Sequence, residues 1–143
     1  MTPSSSQQTW LILFASWLIA MISTLGSLFF SEVMLFPPCV MCWYQRICMY
    51  PLVLIFLIAL FSNDKNVFKY AMPLVLIGLF FALYHNLLSW GILPESAAPC
   101  TQGVSCTSEY INWFGFISIQ FLSLSAFALL FILLLCLKRK DTK

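Results

Sequence analysis

The sequence predicts an all-α membrane protein, a four-transmembrane-helix bundle with both termini cytoplasmic and two extracytoplasmic cysteine loops. Three observations predict it. The 143 residues are 62% hydrophobic and only 8% charged, against about 45–50% apolar and about 25% charged in a soluble domain, so the chain cannot cover a water-exposed surface. Four uninterrupted apolar runs each reach the roughly 20 residues that cross a bilayer as helix, and the period-two alternation of a barrel strand is absent from them. Six of the seven Lys and Arg residues fall on one side of the arrangement those runs dictate. After four spans, too little chain remains for a separate soluble domain, which rarely holds together below about 40 residues without staples. The chain reads as a single membrane domain over residues 1–143, and its chemistry must sit at the membrane.

The first span runs from about Trp10 to Phe30. Its leader Met1–Gln8 has no Lys or Arg, and its apolar stretch is longer than a typical signal-peptide core, so a retained helix is expected. The second runs from about Trp43 to Phe61, with Pro51 expected to kink it. The third runs from about Ala71 to Trp90, which puts Pro73 in a first turn, where proline is tolerated. The fourth runs from about Trp113 to Leu137. Lys65 and Lys69 lie in the link between spans two and three, and Lys138, Arg139, Lys140 and Lys143 form the C-terminal tail. Short loops rich in Lys and Arg stay cytoplasmic, so the loops at residues 31–42 and 91–112 face outward. Trp43, Tyr44, Trp90, Tyr110 and Trp113 at the outer span ends agree with an aromatic belt.

Four of the six cysteines, Cys39, Cys42, Cys100 and Cys106, fall in the outward loops. Disulfides persist outside the cytoplasm and are rare within it. Pairing within each loop is expected, although four cysteines permit three connectivities. Cys48 is expected to behave as a small buried hydrophobe, and Cys136, beside the basic tail, as inert or lipid-modified.

The first pair sits in the string PPCVMCWYQR, residues 37–46. A disulfide across two intervening residues closes almost no loop, so its entropic stabilisation is small. Half a zinc site is the other reading of C-x-x-C, but zinc takes about four ligands, and the outer residues offer only the second pair and His85. Redox chemistry gives the better reason for the spacing. The prolines disfavour helix up to Cys39 and the apolar helix opens around Cys42, so the pair lies at a helix N-terminus, where free amides and the dipole stabilise a thiolate. Arg46, one turn beyond Cys42, is the only outer-side cation. It either snorkels to headgroups or stabilises a thiolate and an anionic reduced cofactor. His85 lies at a similar depth, either satisfied by a neighbour or part of the same site. The second pair, in PCTQGVSC at residues 99–106, occupies a long loop open to a partner thiol.

The string CVMCWYQR entering a second helix, the second cysteine pair and the four spans resemble the bacterial disulfide bond formation protein B (DsbB) family. PCTQGVSC followed by YINWFGF is similar to its short BdbC-like branch. The resemblance implies a quinone-dependent protein-disulfide oxidoreductase that reoxidises an extracytoplasmic thioredoxin-like dithiol oxidase, DsbA-like or BdbD-like, and passes electrons to membrane menaquinone or ubiquinone. It also implies that Cys39 and Cys42 are the quinone-coupled pair and that Cys100 and Cys106 are the partner-facing pair, with Cys100 the site of the mixed disulfide. Arg46 and His85 match quinone-proximal positions. The chain departs from the longer members in its shorter second loop and in Gln45, where they carry an acidic residue. The alternative from a different class is a non-enzymatic four-span protein whose two disulfides only shape its outer loops.

Overall fold

The computed structural model describes residues 5–62, 64, 66–94 and 119–141. It contains four helices long and apolar enough to cross a membrane. They are α1 (Ser5–Leu28), continued by a π-helical turn over Phe29–Val33, then α2 (Val40–Ser62), α3 (Val67–Ser89) and α4 (Ile119–Asp141). At 1.5 Å per residue, 23 residues extend about 35 Å, slightly more than the hydrocarbon core.

The first three helices are longer than the apolar runs, because backbone hydrogen bonding does not stop where side chains turn polar; the expected start of the fourth span at Trp113 lies outside the described residues. Helix continues through Ser31 and Glu32 at the first span's end, and α2 starts at Val40 rather than at Trp43. The expected loop at residues 31–42 therefore shrinks to 34–39. Pro37 and Pro38 set that start: neither prolongs a preceding helix, but a new helix opens two residues later. At the other end, α3 starts at Val67 rather than Ala71. Pro73 is consequently inside the helix and not in its first turn. The helix also runs unbroken through Pro51, which lies on an exposed face of α2.

Leu35 closes the first helical run. Its φ of 55° is the left-handed conformation usual for a residue just past a helix end. The Phe36 N–H then reaches back to the Phe30 carbonyl at 3.1 Å, and the chain is turned toward the two prolines.

Each helix buries one stripe. Among described residues α1 buries Leu13, Ser16 and Ala20, at helical spacing. On α2 the stripe is Met41, Gln45, Cys48, Met49, Leu52, Phe56 and Ala59. On α3 it is rich in small residues, Ala71, Gly78 and Ala82 among them, the residue type that lets helices approach closely in lipid. Gly78 receives the fully buried Phe127 ring of α4. Large apolar side chains such as Ile22, Leu54, Phe61 and Phe80 point outward, an unfavourable surface in water but a natural one against acyl chains.

Helices α2 and α4 each pack against both α1 and α3. Lys140 donates to Gln8 at the start of α1, and Lys138 lies 4.9 Å from the Phe68 ring centroid at the start of α3. The basic tail is thus at one end of the helices, and the Cys39 segment, at the start of α2, is at the other. Cys48 is buried in the core, as expected, and Cys136 is exposed.

Candidate functional site

Cys39 is the residue immediately before α2 and Cys42 is the third residue within it. The helical turn between them brings their Sγ atoms to 3.0 Å. The Cys42 backbone N–H, one of the amides that a helix start leaves unpaired, points at Cys39 Sγ from 3.4 Å. Cys39 is buried, whereas Cys42 is half-buried.

From α3, His85 reaches across with Nε2 3.8 Å from Cys39 Sγ. The three sulfur and nitrogen atoms of Cys39, Cys42 and His85 fall within 4.8 Å of one another. A closed structural zinc site takes four ligands, and the described residues bring three. His85 is only 2% exposed, and its other nitrogen, Nδ1, lies 3.3 Å from the Gln45 amide nitrogen. That amide nitrogen is also 3.5 Å from the Phe81 carbonyl, and the Ser123 hydroxyl of α4 donates to Gln45 Oε1 at 2.6 Å. Residues of α2, α3 and α4 are thereby joined in one buried polar chain that ends on a cysteine sulfur.

Arg46 is turned toward α1. Its Nε donates to Ser27 Oγ at 2.8 Å and its Nη2 to the Ser27 carbonyl at 2.9 Å. Its guanidinium lies 5.6 Å from the Trp43 ring centroid, within cation–π range. Two hydrogen bonds and an aromatic face hold the cation in one orientation, which free snorkelling to headgroups would not require.

Cys39, Cys42, Gln45, Arg46 and His85 all line one cavity of about 440 Å³, bounded by α1, α2, α4 and the segment before α2. Its remaining wall is mainly apolar, with Ile22, Met49 and Phe127 contributing. The Tyr50 hydroxyl belongs to a residue of this wall and is buried with no hydrogen-bond partner among the described residues.

Cys39 precedes the membrane-spanning part of α2, and its thiol is lowered from 9.0 to about 4. The hydrogen bond from the Cys42 thiol is the main cause; burial opposes it, and the hydrogen bond with His85 assists. The folded value lies below the unfolded one, so the thiolate's contribution to the stability of the reduced protein is complete above the ordinary thiol range. It is lost as pH falls through about 4. In the reduced protein, ultraviolet thiolate absorbance is expected to persist from neutral pH down toward about 4 and to vanish below it; absorbance that disappears below about pH 8, the range of a free thiol, would contradict this.

Of the residues singled out from sequence, Cys39, Cys42 and His85 are in mutual contact range and Arg46 shares their cavity. Cys100 and Cys106 lie outside the described residues. Gln45, Ser123 and Ser27 carried no sequence signal of their own as partners. The polarity of Gln45 near the C-x-x-C string was visible, but its partners depend on how three helices are rotated.

The chain matches the family model described as disulfide bond formation protein DsbB over residues 6–137. It is 51% identical over 131 residues to disulfide bond formation protein C of Bacillus subtilis (strain 168), covering 92% of this chain and 95% of that protein. It is 46% identical over 129 residues to the probable disulfide formation protein C of Halalkalibacterium halodurans, covering 90% and 94% of the two chains. The probable disulfide formation protein of Metapseudomonas resinovorans is 43% identical over 143 residues, with 99% of each chain covered. No solved structure matches the chain. Four membrane-length helices, a cysteine pair at a helix start and these similarities together make the chain a multi-pass membrane oxidoreductase of disulfide bond formation, belonging to the DsbB family.

Proposed function

We propose that this chain reoxidises an extracytoplasmic thioredoxin-like thiol oxidase, DsbA-like or BdbD-like, and delivers the electrons to a membrane quinone, menaquinone or ubiquinone. The observation that carries this reading is the position of Cys42 and Arg46 on the wall of one apolar cavity. In the proposed topology both termini are cytoplasmic and both cysteine pairs extracytoplasmic. The basic tail supports it by lying at the opposite end of the helices from Cys39, since Lys and Arg favour the cytoplasmic side.

The residues present fit a quinone. A cavity of about 440 Å³ is within the range of small-molecule sites, roughly 300–1,000 Å³, which are mostly apolar with a few oriented polar groups. The Tyr50 hydroxyl, unpaired among the described residues, and the Ser27-held Arg46 are donors suited to carbonyl oxygens. Arg46 and Tyr50 would hold the group, and His85, whose ring nitrogens face Gln45 and Cys39, would line its pocket. When bound, a quinone supplies a lipid-soluble acceptor for two electrons and two protons.

The protein's own residues perform the exchange in thiol–disulfide steps. A partner thiolate attacks Cys100 of the Cys100–Cys106 disulfide, forming a partner–Cys100 mixed disulfide and releasing Cys106 as thiolate. The partner's second thiol resolves that bond and leaves with its disulfide restored, while Cys100 and Cys106 keep the electron pair as thiols. They in turn reduce the Cys39–Cys42 disulfide by the same two-step exchange. Cys39, held by the Cys42 amide and His85, is suited to carry charge as a thiolate, and the permanent charge of Arg46 favours anionic species in the adjoining cavity.

The test is quinone reduction by purified protein with a reduced thioredoxin-like partner. Arg46→Ala is expected to lower kcat/KM for quinone roughly tenfold to a hundredfold, the scale of a lost hydrogen bond to a charged group, about 1.5–3 kcal/mol. Arg46→Lys keeps the charge but loses the forked hold on Ser27, so an intermediate value is expected. No turnover with any quinone would end the proposal, and wild-type kinetics in Arg46→Ala would remove Arg46 from the site.

A further inference from the structure

We propose that Gln45 and Ser123 are positioning residues that lock the His85 ring in its neutral Nε2–H tautomer, making His85 a hydrogen-bond donor to Cys39 rather than a base. The inference rests on reading Cys39 and Cys42 as the redox pair.

The Phe81 carbonyl can only accept a hydrogen bond, so the end of the Gln45 amide that faces it, at 3.5 Å, must be the NH₂. The opposite end is then the carbonyl oxygen, which agrees with the Ser123 hydroxyl donating to it at 2.6 Å. The same NH₂ lies 3.3 Å from His85 Nδ1. An amide NH₂ only donates, so Nδ1 must accept and carries no proton. A neutral imidazole whose Nδ1 accepts bears its proton on Nε2, and Nε2 is the nitrogen 3.8 Å from Cys39 Sγ.

Burial makes the lock effective. Gln45 is 7% exposed and His85 2% exposed, so water is poorly placed to replace either partner. The titratable and charged groups that share the cavity wall with the ring are, among the described residues, Cys39, Cys42, Arg46 and Tyr50; α4 brings neutral Gln120 and Ser123. A ring already protonated at Nε2 cannot take the Cys39 proton there. It can only stabilise the sulfur once charged, and the proton released when the pair is oxidised must leave by another route.

The chain has one histidine, so ¹⁵N-histidine labelling reports a single ring. In the reduced protein in lipid nanodiscs, Nε2 is expected to show a pyrrole-type shift and Nδ1 an imine-type shift. Gln45→Met, which keeps the length but removes the donor, is expected to bring in the Nδ1–H form and move both shifts toward each other. Should Gln45→Met fail to melt cooperatively, Ser123→Ala replaces it: with the 2.6 Å bond to its carbonyl gone only the long 3.5 Å contact with Phe81 orients the amide, and a partial change in the same direction is expected. A pyrrole-type Nδ1 in the wild type, whether from the other tautomer or from a doubly protonated ring, overturns the proposal. So does an unchanged wild-type pattern in the folded variant. The nitrogen shifts are read without turnover, so loss of the quinone-reduction reading and loss of this one are separate results.

Discussion

Cys42→Ser is expected to reduce quinone reduction to background, a loss on the order of 10³-fold or more, as when the nucleophile is removed from a covalent mechanism. The reason is electron accounting. Two electrons arriving from Cys100 and Cys106 need a disulfide to receive them, and a serine oxygen cannot close one with Cys39. Among the described residues no other cysteine is close: Cys48 is between one and two turns deeper than Cys42 and buried among core residues, and Cys136 is near the far end of α4. The measurement is quinone absorbance against time, with purified variant and reduced partner. Cys136→Ser, at an exposed position, serves as the control for handling and is expected to match the wild type. Because Cys42 is only half-buried, its serine variant should melt close to the wild type, which separates lost chemistry from lost fold. A Cys42→Ser protein turning over at the wild-type rate would sink the assignment of the pair.

The second large effect is on stability. Gly78→Ala adds one methyl group, and the new Cβ would stand 2.1 Å from Phe127 Cε1 and 2.4 Å from Cζ. Phe127 is 0% exposed, so the ring can retreat only toward the cavity whose wall it shares. Overpacking of this kind costs typically about 1–3 kcal/mol, partly offset by the roughly 1 kcal/mol by which alanine favours helix over glycine. A net loss of about 1 kcal/mol, with an upper bound near 2, is therefore expected in reversible unfolding from mixed detergent micelles. Phe127→Leu in the same chain removes the ring edge and should recover part of the loss, with a coupling between the two sites of about 0.5–3 kcal/mol. Simple additivity would mean that the ring and the glycine do not meet.

Much of this was legible in the residues. The four spans follow from composition, because no arrangement of so few charged groups can clothe a soluble surface. The helix start at the C-x-x-C string follows from Pro37 and Pro38, which act locally. The ends of the helices were not legible from hydropathy: Glu32, Lys69 and Ser31 are polar yet helical, since hydropathy marks the lipid core and not the extent of backbone hydrogen bonding. Pro73 was misplaced for the same reason. The partners of the site residues were also out of reach. Whether Gln45 meets Ser123, 78 positions later, depends on the rotation of α2 and α4 about their axes. Depth and the family resemblance put His85 near Arg46 and the quinone, whereas its nearest sulfur among the described residues is Cys39 Sγ. Arg46 in turn is fixed by Ser27, a small polar residue in an apolar run that offered no reason to be singled out.

The uneven distribution of buried residues among the helices also governs how this sequence can drift. Helix α1 presents Trp10, Leu11, Leu18, Ile22, Leu25 and Leu28 outward and fully buries only Leu13, Ser16 and Ala20 among its described residues. One aliphatic residue there serves nearly as well as another, because lipid is an undemanding neighbour. The inner stripe of α3 is different. Ala71, Gly78 and Ala82 are already small, and a single methyl group at Gly78 has nowhere to go. Inheritance can therefore rewrite the outside of the first helix freely while holding the inner stripe of the third nearly letter for letter, although both helices are equally hydrophobic to the eye.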